Sequence, residues 1–68
     1  MKTIGTKIKE LRKEKKLTQK ELAEKLKIGQ ASISEWEKDL YEPTASAIKS
    51  LALFFNVSAD YLLGLEKE

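Results

Sequence analysis

The chain has 68 residues, 41% of them hydrophobic, with 13 Lys or Arg against 11 Asp or Glu and a net charge of +2. This is material for one small core and little beyond it. Cys and His are both absent, which excludes a disulfide framework, a thiolate metal site and the histidine or thiolate chemistry of nucleophilic catalysis.

No run of about 18 apolar residues is present, and the opening MKTIGTK lacks the apolar segment of a signal peptide, so the expectation is a cytoplasmic domain without anchor or export signal. The charge is unevenly placed. Residues 1–27 carry ten Lys or Arg against four Glu, a balance of +6, and residues 28–68 carry three Lys against seven acids, a balance of −4. The front half is the anion-facing half, a hint of nucleic acid that a merely solubilising lysine surface would also produce.

Periodicity predicts five helices and no strands. Ile4, Ile8, Leu11 and Arg12 recur at helical spacing, giving a first helix over roughly 4–15 that leaves Lys7, Lys9, Lys13 and Glu14 wet. Lys13, Lys15 and Lys16 suit the negative end of its dipole. Thr18 followed by Glu21 is a capping box that starts the second helix, with Leu17 as an apolar staple and Leu22, Ala23 and Leu26 as the buried face.

Gly29 opens the third helix, which places Ile33, Trp36 and Glu37 on one side and Gln30, Ala31, Ser34, Glu35 and Lys38 on the other. At i+3 from Ile33, Trp36 reads as core rather than as a base-stacking ring. Pro43 closes the loop from Asp39 to Glu42, and Thr44 caps a fourth helix carrying Ile48, Leu51, Ala52 and Phe55. Asn56 is a suitable left-handed stop. Ser58 caps a last short helix with Asp60 in its first turn, Tyr61, Leu62 and Leu63 for packing, and Gly64 as its end.

Two short amphipathic helices joined by a tight turn over 18–36 are the sequence form of a helix-turn-helix, in which one helix lies across a nucleic-acid backbone and the next enters the major groove. The segments TQKELAEKL, ISEWEK, EPT and NVSADYLLG, at these separations, resemble the Xre-like or phage-repressor (Cro-type) helix-turn-helix family from about Ile4 to Gly64. That resemblance implies an all-α, compact five-helix domain, lambda-repressor-like, that binds operator DNA as a dimer and regulates transcription. The whole of 1–68 is then one helix-turn-helix domain with its core in 4–64.

The family places a Gln at position 19 to meet a phosphate, a role that the free amides of a helix start also suit; a solvated helix start is the other reading. Gln30, at the start of the third helix, can bond bidentately to adenine N6 and N7. Ala31 can pack against a thymine methyl, Ser34 can donate or accept, and Glu35 can accept from cytosine N4; each is equally well read as surface filler. Lys20, Lys27 and Lys38, with Ser32, are candidate phosphate contacts. Tyr41 either bonds a phosphate or pins its loop. The family also has an Arg and a Glu bridging the first and third helices, a role that falls here on Arg12 and Glu37, both on otherwise apolar faces.

Two departures stand out. Members commonly have Gly where this chain has Lys16, Lys27 and Asp39, and residues 28–42 hold four acids and a single Lys where operator binders often carry Arg or Lys. The leading expectation is a homodimer on a palindromic operator with its third helices about 34 Å apart. Its partner surface is expected on the last helix, with Leu62 or Leu65 exposed. The alternative is a protein-interaction module, an antitoxin or adaptor that uses the acidic third-helix region. An enzyme is not expected: Ser32 and Ser34 beside Glu35 have no base to activate them, and no Gly-rich phosphate loop exists. Neither metal, cofactor nor small-molecule ligand is expected.

Overall fold

The computed structural model describes residues 2–66, which form five helices in the order α1 (Ile4–Glu14), α2 (Gln19–Leu26), α3 (Gln30–Glu37), α4 (Ala45–Phe55) and α5 (Ala59–Leu63). No strand occurs among the described residues, so the architecture is all-α as predicted. Four of the five starts are capped by a hydroxyl: Thr3, Thr18, Thr44 and Ser58 each accept a hydrogen bond from the amide three residues on. At α2 the Glu21 carboxylate returns the bond to the Thr18 amide, completing the capping box.

The five ends share one device. Lys16, Lys27, Asp39, Asn56 and Gly64 all adopt left-handed backbone, with φ between 57° and 79°. In each case the amide of the next residue, Leu17, Ile28, Leu40, Val57 or Leu65, reaches back to a carbonyl in the last turn at 2.8 to 3.1 Å. These are Schellman closures, each followed by an apolar residue. Only one of the five positions holds the glycine that such backbone favours; the other four side chains accept the strain.

Ile8, Leu22, Ala23, Ile33, Trp36, Leu51, Phe55 and Leu62 make one core, and the helix-turn-helix pair α2 and α3 is seated on it with α1 behind. Three expectations need correction. Lys7 is not wet but 2% exposed. It falls three positions after Ile4 and four before Leu11, within the apolar stripe, and its Nζ donates to the Tyr61 carbonyl at 2.8 Å. Leu62, offered as an exposed partner residue, is 1% exposed and belongs to the core, whereas Leu63, expected to pack, is 49% exposed; on adjacent positions of one helix only one of the two can face the core, and α5 turns Leu62 inward. Leu65 is 73% exposed. No helix of the described residues is long and apolar enough to cross a membrane.

Candidate nucleic-acid interface

Helix α3 is seated by Ile33 and Trp36, both buried, while Gln30 and Ala31 on its opposite edge are exposed. The seat is dry and the edge is polar, so the helix cannot roll about its axis without wetting one and burying the other. Ser34 and Glu35 lie half-buried on the outer side, and Lys38, just past the end, is exposed. Alone among the five helices, α3 has no side-chain cap: its N-cap is Gly29, with open space where a Cβ would stand. The amides of Gln30 and Ala31 therefore face outward without a capping side chain, as an incoming anion or base edge requires.

The far end of α3 is held by charge. Arg12 Nε donates to Glu37 Oε2 at 2.7 Å and Nη2 donates to Oε1 at 2.9 Å, while Nη1 reaches the Leu17 carbonyl at 2.8 Å. The two side chains are only 11% and 3% exposed. Burial pushes the Glu37 carboxyl up, but the hydrogen bonds from Arg12 and Gln19 and the charges of Arg12 and Lys9 outweigh it and hold the group below its ordinary value. The same pair raises the Arg12 guanidinium, against the lowering effect of burial. α1, the α1–α2 turn and α3 are thus tied at a single guanidinium.

Gln19 joins this cluster: its Nε2 donates to Glu37 Oε1 at 3.1 Å. The Gln19 side chain is half-buried and its amide nitrogen is turned toward the carboxylate, while Thr18 and Lys20 on either side of it are exposed. Lys20 and Lys27 are exposed, Ser32 is half-buried, and Tyr41 is 66% exposed in the loop after α3. The structure brings together Arg12, Gln19 and Glu37, and strings Gln30, Ala31, Ser34 and Lys38 along one helix edge.

Sequence reasoning passed over two positioning contacts. A Cβ built on Gly5 would stand 2.1 Å from the Trp36 carbonyl oxygen, so α1 touches the end of α3 with no room for a side chain. Beside it, Thr3 Oγ1 donates to Asp39 Oδ2 at 3.1 Å. A glycine inside a helical pattern was the available signal, because it weakens the helix unless close packing requires it.

A family model described as "Helix-turn-helix" matches residues 8–62. The chain is 42% identical over 65 residues to the HTH-type transcriptional regulator ImmR of Bacillus subtilis (strain 168), covering 96% of this chain and 51% of that protein. It is 36% identical over 64 residues to the immunity repressor protein of Bacillus phage phi105, covering 94% and 44%. The chain therefore spans about half the length of these relatives. Among solved structures it resembles the P22 c2 repressor in complex with a synthetic operator, with a TM-score of 0.89 and 29% identity over 97% of this chain and 100% of that one. It also resembles SinR, a master regulator for biofilm formation solved in complex with DNA, with a TM-score of 0.81 and 33% identity over 88% and 97% of the two chains. These relatives are named for regulation and repression, not for catalysis.

Proposed function

The chain belongs to the helix-turn-helix family, and from that premise we propose that it binds double-stranded DNA as a transcriptional regulator acting by repression. The outer edge of α3 enters the major groove, with Gln30 reading adenine and Ala31, Ser34 and Glu35 making the remaining base contacts. The amides of Gln19 and Lys20, with Lys27, Ser32, Lys38 and Tyr41, meet the flanking phosphates. The observation that carries this reading is the α3 seat: Gln30 and Ala31 stand open on the edge opposite buried Ile33 and Trp36, at a helix start that no side chain caps. Similar chains solved on an operator and on DNA support the same docking.

In this proposal the chain acts in the cytoplasm as a homodimer on a palindromic site, its two α3 helices about 34 Å apart. The α4 and α5 face supports a subunit contact. Ile48, Ala52, Leu53, Ala59 and Leu63 line an open apolar groove of about 340 Å³, and Leu53, Leu63 and Leu65 are exposed. The four acids in residues 28–42 weaken the phosphate attraction and lower affinity, and the binding that remains falls with salt because phosphate neutralisation by the lysines drives it. They also favour a second reading, in which this region holds a basic protein partner, as an antitoxin or adaptor would. Selection of bound duplexes from a random pool, followed by titration at low and moderate salt, separates the two. A recovered palindrome whose affinity falls steeply with salt supports the regulator; absence of binding at either salt supports the adaptor.

A further inference from the structure

Lys7 is a buried cation that the DNA-facing surface does not use. It is 2% exposed, and among the described residues it forms no ion pair with any carboxylate. Its Nζ donates to the Tyr61 carbonyl oxygen at 2.8 Å and stands 4.9 Å from the centre of the Tyr61 ring. That carbonyl also accepts the Gly64 amide at 3.2 Å, so the ammonium sits on the last turn of α5, where unpaired carbonyls concentrate negative potential. The left-handed residue that ends α5 lies beside it, the Cβ position of Gly64 being 3.8 Å from Nζ.

Helix α5 has five residues, far below the length at which a helix holds its own shape in water. Two kinds of anchor fix it from outside: an apolar one, Leu62 in the core with Tyr61 packed against that core, and a polar one, the α1 ammonium at its C-terminal end. Apolar packing is non-directional and lets so short a helix shift on the core; the ammonium, 54 positions away in sequence, restricts that freedom. Leu63 and Leu65 leave the surface immediately on either side of Gly64, so their placement follows from where that end is held.

We propose that Lys7 is the positioning residue of α5, and that by holding its C-terminal end it sets the geometry of the subunit contact. The consequence for assembly rests on the homodimer reading given above; the consequence for α5 does not. Charge, not bulk, is the active property: Lys7→Met and Lys7→Gln remove it, and Lys7→Arg keeps it. With one of two anchors gone, the docked population of α5 falls, and apparent self-association falls with it by about tenfold.

The test compares hydrogen exchange and sedimentation equilibrium for the full chain and these three variants. In Lys7→Met and Lys7→Gln, exchange should rise by about tenfold or more at the Leu62, Gly64 and Leu65 amides, stay unchanged at Leu22 and Ile33, and return toward the parent rate in Lys7→Arg. Uniform acceleration in all helices, or unchanged exchange in α5, would overturn the positioning role. If the parent chain dimerises, self-association that is equal in Lys7→Met would overturn the link to the interface. A parent chain that stays monomeric with and without DNA removes the homodimer and the interface link together, and exchange still decides the role in α5.

Discussion

Arg12 and Glu37, 25 positions apart, meet in a two-pronged ion pair with both prongs at 2.9 Å or less. The planar guanidinium fits the carboxylate in one orientation only, so the pair sets an angle as well as a distance between α1 and α3. Desolvating two charges is costly, and removing one partner leaves the other buried and uncompensated. Glu37→Ala should therefore destabilise the fold by about 3–5 kcal/mol. Glu35→Ala, on the half-buried outer side of the same helix, should cost no more than about 0.5 kcal/mol. Thermal melting of the two variants decides it, and equal shifts would reject an orienting role for the pair.

The same carboxylate gives a pH dependence with a definite sign. Glu37 is held below its ordinary value of 4.5 in the folded chain, so it contributes stability at neutral pH that is lost as pH falls through the folded value. Glu21, also lowered by its bonds to Thr18, titrates in parent and variant alike and cancels in their difference. Melting followed from neutral pH down through the carboxylate range should show the parent losing stability more steeply than Glu37→Gln below about pH 4.5. Parallel curves would remove Glu37 from the acid limb.

Gly5→Ala tests the contact between α1 and α3. In an exposed helix interior this change gains about 1 kcal/mol from propensity. Here the new Cβ meets the Trp36 carbonyl oxygen at 2.1 Å and Asp39 Oδ1 at 2.6 Å, so the sign should reverse, with a loss of about 1–3 kcal/mol or more. A rise in melting temperature would show that α1 can move away from α3 freely.

The left-handed turns make the opposite forecast. Lys16 is exposed at φ 57°, and Lys16→Gly should raise stability by up to about 1 kcal/mol by relieving the Cβ clash. Asn56→Gly should gain less, because Asn tolerates this backbone better than Lys does. Chemical denaturation of both variants ranks the two gains, and a larger gain at Asn56 would contradict the ordering.

On DNA, Gln30→Ala should reduce discrimination at one base pair by about 1–3 kcal/mol and leave the salt slope unchanged. Lys20→Ala should weaken binding across sequences alike and lower that slope by about 1. Affinities for a selected site and its single-base variants at several salt concentrations check both. A change of salt slope in Gln30→Ala would move that residue from base reading to phosphate contact.

Caps, breaks and faces were legible from residues alone. Thr18 with Glu21, Thr44, Ser58, Asn56 and Gly64 each act within three to five positions of themselves, so the hydrogen bonds that begin and end the helices are written in local order. The alternation of Ile33 and Trp36 with Gln30 and Ala31 likewise reads as an inner and an outer edge without reference to the rest of the chain.

What local order left undecided was the fate of side chains whose partners arrive from far away. Lys7 reads as a solvated lysine until α5 brings the Tyr61 carbonyl to it. Gly5 reads as a weak helix residue until the Trp36 carbonyl closes on it, and Gln19 reads as an outward amide until Glu37 turns it inward. Leu63 reads as a packing residue and Leu62 as a candidate for the exposed surface until α5 docks and turns Leu62 into the core and Leu63 outward. Periodicity sorts residues by helix face, but burial and pairing are set by the element that packs on that face, and that placement exists only once the chain has folded.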